Sequence, residues 1–429
     1  MNEKLQAGLY KFNITPSVNG PIVGGFTVPT AQDIIDEFYA NALVIDDGST
    51  EVAVVSVDII GIPYKVYKDI ADKIESTCDI PAENVIISAT HNHTSVRLKE
   101  DGNDVYTEYL IEAVVSAVYL AKKRKQPVRI GVGRSENRNY VFNRRLKKPD
   151  GSIVMNWIDR DYLQDCIDDG AVDPELIVVK IENEDKQPIG FIVNYANHNN
   201  SVGNLRRSAD ISGYIGELLR RIYGEDVVTV FLLGACGNTN WVNYRDYTQK
   251  NDPKLYQRIA TGITGTALEI IAEMDYPEID RIEINSRLLK IAERAYNDYD
   301  DKIDNTFGEI KDGDIPAGFK FFKEAKEKNK DKPLGLYDVD IHVLKLGKDI
   351  VIASNPCELF TEFGLEIKSQ SPFKYTMVTE LTNGTIGYVP TLKAYEEGGY
   401  EVRKPANRVE KNAGEKIVKN TVELLKELY

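Results

Sequence analysis

The segment VVTVFLLG, residues 227–234, constrains the fold more than any other stretch of the chain. A run this short and apolar, rich in β-branched residues and closed by a glycine, has the character of a strand covered on both faces. It follows apolar residues at helical spacing over Ser208–Tyr223. The same alternation occurs earlier, where a helical stretch at Lys65–Thr77, with Val66, Ile70 and Ile74 on one side, leads into the buried strand NVIISAT. NALVIDD and EVAVVSVDII, on either side of a turn at Gly48 and Ser49, read as an antiparallel hairpin. Further on come a helix near Tyr256–Met274, a strand EINSRLLKI, a pair DVDIHVLKLG and DIVIAS around a glycine turn, a helix opening near Glu358, and an amphipathic helix ending at Tyr429. The expected class is α/β, with mixed sheets and covering helices.

Only Glu293–Leu336 departs in composition, being dominated by charged and polar residues, with AGFKFFKEAKEKNKDK as one short amphipathic helix. It reads as an insertion in a single unit over 1–429, a solvated linker or, more sharply, a lid. A net charge of -14 excludes a nucleic-acid-wrapping surface. The short basic cluster Arg144, Arg145, Lys147 and Lys148 then reads as a solvated turn, or as a single substrate-facing arginine. The opening MNEKLQAGLYKF carries no signal-like apolar segment and no apolar run reaches membrane-spanning length, so the expectation is a cytoplasmic protein without membrane insertion. Cys78, Cys166, Cys236 and Cys357 are far apart, which suggests free thiols in a reducing compartment.

The chemistry concentrates in few residues. Of four histidines, His91 and His93 stand in SATHNHTS at the end of one strand, and His198 closes another, GFIVNYANH. If strand geometry persists, residues two apart leave the same face, so His91 and His93 can reach one metal or one substrate. Strand ends of α/β sheets are where ligands gather, and imidazole is the commonest zinc ligand. A lone histidine is more often an ordinary core or loop residue, and His342, inside an alternating strand, keeps that structural reading.

Several segments together resemble the catalytic domain of the neutral/alkaline non-lysosomal ceramidase superfamily. AGLYKFNITP is similar to its opening strand and turn, SATHNHTS and VNYANHNNSVG to its histidine segments, SADISGYIGELLRR to the following helix, and FLLGACGNTN to its glycine-rich strand end. NPCELFTEFGLEIK resembles the family's glutamate motif and GYVPTLKAYEEGGYEV its tyrosine motif, with order and approximate spacing kept. The resemblance implies a ceramidase-like catalytic domain and one zinc held by His91, His198, Glu358 and Tyr388. It implies a second shell in which His93 and Tyr400 face the substrate carbonyl, and an arginine near the site. Arg144, in FNRR, matches that arginine, and NRN at Asn137–Asn139 offers a competing match. By itself Glu358 reads equally as a helix N-terminal carboxylate. Gly24 and Gly25 suit a close backbone approach or a plain turn.

The implied activity is hydrolysis of an N-acyl amide or an ester by a water that zinc activates. The chain departs from the family where Asn238 replaces a common aspartate, Asn240 a serine, Asn199 a proline and Cys357 a glycine. The expectation is a catalytic domain without the C-terminal β-sandwich that secreted ceramidases carry, and so a smaller amide or ester rather than a long-chain ceramide. Asn238 and Asn240 motivate the alternative, a zinc-containing ligand-binding protein that has lost catalysis. Self-association is left open.

Overall fold

In the computed structural model, described for residues 5–429 apart from 100, 169, 204, 250, 251, 253 and 311–314, two sheets stack face to face between layers of helices. The first contains β1 (Gln6–Asn13), β2 (Tyr39–Asp46), β3 (Glu51–Val57), β4 (Val85–Ala89), β5 (Gln126–Glu136), β6 (Glu175–Asn183), β7 (Pro188–Tyr195) and β8 (Val228–Leu233). Their spatial order is β8-β7-β6-β5-β1-β2-β3-β4. The second contains β9 (Ile282–Ala292), β10 (Leu336–Leu346), β11 (Ile350–Ser354) and β12 (Tyr375–Thr379), in that order. Most pairs are antiparallel, but β3–β4, β7–β8 and β11–β12 are parallel.

Alternation within the strands explains the layers. On β10, Val339, Ile341 and Val343 face one way, toward Ile417, Val422 and Leu425 of the C-terminal helix. Leu344 and Leu346 face the other, with Ile350, Ile352 and Met377, against Ile177, Val179, Val228 and Val230 of the first sheet. The opposite face of that sheet is covered by helices α1 (Tyr64–Cys78), α2 (Val105–Lys123), α3 (Asp210–Tyr223) and α4 (Leu255–Ala272). Helices α5 (Ala317–Asn329), α6 (Thr361–Gln370), α7 (Leu392–Glu397) and α8 (Ala413–Leu428) complete the order, with α6 and α8 on the second sheet. The architecture is mixed α/β, as the sequence indicates, and the VVTVFLLG run is a strand buried at every position. The hairpin at Gly48 forms with Asp46 opposite Glu51. Among the described residues, no helix is long and apolar enough to cross a membrane.

Each parallel pair is joined by a helix: β3-α1-β4, β7-α3-β8 and β11-α6-β12. Antiparallel strands can be joined by a tight turn, but parallel ones need such a crossover. Loops beyond the carboxyl ends of these strands carry the candidate site residues, the position where open α/β sheets gather ligands.

Candidate metal centre

His91, His93 and His198 converge, with one donor atom of each lying within 4.8 Å of the others. The means of convergence differs from the strand geometry expected for His91 and His93. Strand β4 ends at Ala89, and His91 takes a left-handed conformation, φ 60°. A turn therefore brings the rings together, with Nε2 of His93 3.1 Å from Nε2 of His91. Asn92 ties that turn to the start of α3 by donating to the Ser208 carbonyl at 2.8 Å.

All three rings are oriented by backbone partners. Nδ1 of His91 lies 2.9 Å from the Ile60 carbonyl, His93 is hydrogen-bonded by the Gly24 backbone and His198 by that of Cys236. A carbonyl can only accept, so Nδ1 of His91 carries a proton, and in the neutral ring Nε2 presents a lone pair inward. Arg144 Nη1, which can only donate, stands 3.3 Å from Nε2 of His198 and requires a lone pair there too. Burial, reinforced by Arg144 and the neighbouring rings, holds His93 and His198 well below the ordinary histidine range. They are neutral at physiological pH, the form that binds metals.

Glu358 completes the cluster from the segment that follows β11. Its Oε2 lies 3.3 Å from Nε2 of His91 and 3.9 Å from Nε2 of His198. It is not at a helix N-terminus: α6 begins at Thr361, and Glu358–Leu359 forms a short parallel ladder with Tyr388–Val389, Glu358 opposite Tyr388. Backbone pairing thus places the two candidate ligands side by side. Burial pushes the Glu358 carboxyl up, but His91, Tyr388 and Arg144 outweigh it and hold the group ionised below its usual range. The Tyr388 phenol is raised well above its usual value, chiefly by burial and then by Glu358, and stays neutral. A buried polar atom ordinarily has a partner, yet Glu358 Oε2 has no hydrogen bond. Donor atoms around a tetrahedral zinc at roughly 2.0–2.1 Å lie about 3.3 Å apart. Glu358 Oε2 stands 3.3 and 3.9 Å from the two histidine nitrogens, at and somewhat above that value, so the residues fit a metal ion.

Arg144 is the arginine that enters the site; Arg138, in the competing NRN segment, is exposed and pairs with Glu136. The basic cluster is not a solvated turn at its start, because Arg144 and Arg145 are buried and share Glu401, each at 2.8 Å. The Arg144 guanidinium lies 5.0 Å from the Tyr388 ring centre and 5.7 Å from that of Tyr400. Tyr400 packs on Tyr388 at 5.4 Å, and burial pushes its phenol far up. Around Tyr400 stand Phe26, Trp157, Phe307 and Phe322 at 5.7–6.1 Å. Phe307 and Phe322 belong to the charged segment 293–336, which therefore packs its aromatic residues beside the site instead of only solvating a face.

Of the two early glycines, Gly24 has the close approach: at φ +107, an added Cβ would lie 2.6 Å from Nδ1 of His93, whereas Gly25 would meet nothing nearer than 3.6 Å. Gly237, in the glycine-rich segment, matters similarly, since a Cβ there would fall 2.5 Å from the Glu358 carbonyl.

The departures from the family pattern have structural work. Asn238 Oδ1 accepts from the Thr361 amide and its Nδ2 donates to Glu362, both at 2.8 Å, which starts α6. Asn240 pairs reciprocally with Asn156 at 2.8 and 2.9 Å. Asn199 joins the two histidine loops: Nδ2 donates to the Thr90 carbonyl, the main-chain carbonyl accepts from His93, and Oδ1 accepts from Ser212. The Cys357 thiol donates to Asn355 Oδ1 at 2.8 Å. Behind His198, Glu380 takes the Cys236 and Leu359 amides at 3.1 and 2.9 Å. His342 stays outside the cluster, buried with Nε2 3.2 Å from Asp340. Sequence reading singled out Asn199 only as a departure from the family pattern and missed Glu380, Glu401 and Trp157; of these only Glu401 carried a signal, as an acid directly beside Tyr400.

No family model matches the sequence, and neither does any curated protein. The fold does match solved structures. Neutral ceramidase from Pseudomonas aeruginosa superposes with a TM-score of 0.75 at 17% identity, over 100% of this chain and 75% of that one. A ceramidase complexed with C2 gives the same values. The chain has a ceramidase-like fold.

Proposed function

We propose that this protein is a metal-dependent hydrolase of N-acyl amides or esters, with zinc held by His91, His198, Glu358 and Tyr388. The observation that carries the reading is Glu358 Oε2, buried without a hydrogen-bond partner 3.3 Å from Nε2 of His91 and 3.9 Å from Nε2 of His198. A buried carboxylate oxygen left in that state is costly, and a cation removes the cost. The ceramidase-like fold supports the reaction class, since hydrolysis of an acyl linkage is what the matched proteins' name denotes.

A bound zinc would supply Lewis-acid polarisation of the scissile carbonyl and lower the pKa of a coordinated water. The protein's own contribution is orientation and charge. Ile60 and the Cys236 backbone fix the ring planes of His91 and His198, and Glu358 brings one negative charge. The neutral Tyr388 phenol is a weak donor able to yield to substrate. Tyr400 offers a hydrogen-bond donor to the oxygen where charge develops, an interaction stronger in the transition state than in the ground state, and neutral His93, whose one N–H the Gly24 backbone takes, presents its other ring nitrogen as an acceptor beside it. Arg144 adds fixed positive charge, held in place by Glu401 and the Gly237 carbonyl.

The test is metal analysis together with a screen of N-acyl amides and esters. Wild type should carry about one zinc per chain and hydrolyse at least one substrate, with activity lost on chelation and restored by zinc. Glu358→Gln should lose metal and turnover together, whereas His93→Ala should keep the metal and lose turnover. Turnover without bound metal would defeat the proposal; loss of zinc from His93→Ala would make His93 a ligand.

A further inference from the structure

Away from the histidines, a cavity of about 360 Å³ lies between the first sheet and helices α3 and α4. Residues of α3 help create it, since Ser212 and Gly216 line the space with side chains too short to fill it. At Gly216 even an added Cβ would make only ordinary contact, at 3.5 Å from Thr229.

The lining has a charge pattern. Asp36, Glu37, Asp58 and Glu217 face Arg220 and Arg221, four acids against two bases, which leaves a net charge of -2. Both arginines are committed to Glu217, at 2.6 and 2.8 Å. Lys11, a further cation nearby, sits over the Tyr39 ring at 4.6 Å and is not part of the lining. Asp58 is buried and accepts only neutral donors, the Tyr39 amide at 2.8 Å and Thr90 Oγ1 at 3.2 Å. Asp36 accepts from Ser208 Oγ and the Ala209 amide. Thr229, 5% exposed, also lines the cavity, and its Oγ1 has no hydrogen-bond partner. Burial, with Asp36 adding to it, pushes the Asp58 carboxyl up to about 7, as expected of an acid short of counter-charge.

We propose that this cavity binds a small organic ammonium ion, its charged head at Asp36, Asp58 and Thr229 Oγ1 and its hydrocarbon part against Tyr39, Phe231 and Tyr256. A compact cation with three donors answers two carboxylates and an unpaired hydroxyl. Aromatic walls favour a cation or an apolar body. The site uses none of the residues assigned to the metal centre.

Calorimetric titration of the full chain with 2-phenylethylammonium and n-butylammonium chlorides tests this, with 2-phenylethanol and 3-phenylpropionate as neutral and anionic counterparts. The expected result is one ammonium site per chain and no heat from the counterparts. Gly216→Leu, which fills the cavity, and Thr229→Val, which keeps the shape and removes the hydroxyl, should each weaken binding about tenfold or more. Thr229→Val also serves if Gly216→Leu does not fold. Chelated protein should bind as well as the untreated protein. Equal binding of the alcohol, no binding of either ammonium at millimolar concentration, unchanged binding in a folded Thr229→Val, or loss of binding on chelation would each overturn the proposal.

Discussion

Asn238→Asp places at this position the carboxylate that the ceramidase resemblance leads one to expect, and in this chain it should destabilise the fold. The side-chain amide donates to Glu362 at 2.8 Å while its oxygen starts α6 through the Thr361 amide. Aspartate keeps the second role and reverses the first, setting two carboxylates against each other. Once they swing to about 4 Å apart, repulsion is between ~1 kcal/mol in water and ~4 kcal/mol at an effective dielectric of 20. Glu362 is half-buried, so about 2 kcal/mol is a fair intermediate. The lost bond to a charged acceptor adds about 1.5 kcal/mol, and the helix N-terminus returns up to about 1 kcal/mol. The net cost is about 2–3 kcal/mol. Equilibrium urea unfolding near neutral pH measures it, and the cost should shrink as acid protonates one member of the pair. Glu362→Gln in the same chain should recover most of the loss, because glutamine can donate where glutamate cannot. Wild-type stability in Asn238→Asp, or failure of the second change to recover half the loss, would refute the reasoning.

Other consequences follow from the same contacts. Asn199→Ala removes the side-chain bonds to Thr90 and Ser212 and should weaken zinc binding about 10- to 100-fold; unchanged affinity in a competition titration would show that the loops need no such tie. Asp58→Asn can keep both hydrogen bonds by reversing the Thr90 one. Because the folded pKa is raised to about 7 from an ordinary 3.8, wild type loses stability as pH rises between those values. The variant should therefore match wild type below about pH 4 and gain at most about 4 kcal/mol above pH 7, read by urea unfolding across pH. Phe322→Ala removes a fully buried ring that packs on Phe26 and Tyr400; it should cost about 3 kcal/mol and speed amide exchange in segment 293–336, and unchanged exchange there would count against the packing role.

Local signals fixed the elements. The β-branched runs at Val85–Ala89 and Val228–Leu233, the turn at Gly48 and the periodicity of Tyr64–Cys78 all work over neighbours in sequence. Such patterns act through side-chain period and turn chemistry, so they are legible without the rest of the chain. They also put His91, His93 and His198 beyond strand ends, which made a metal centre readable. Three things depended on distant segments. His91 left the strand for a left-handed turn held through Asn92 and Asn199. Glu358 met Tyr388 through a ladder joining residues thirty apart in sequence, not through a helix start. Arg144 and Arg145 lost their solvent because Glu401, far along the chain, comes to lie between them. The sequence by itself determined many of the strands and helices, though not α2, β5, β6 or β12, and the histidines at strand ends; tertiary structure decided which charges are buried and which donors meet, because burial and pairing are set by segments that no local period connects.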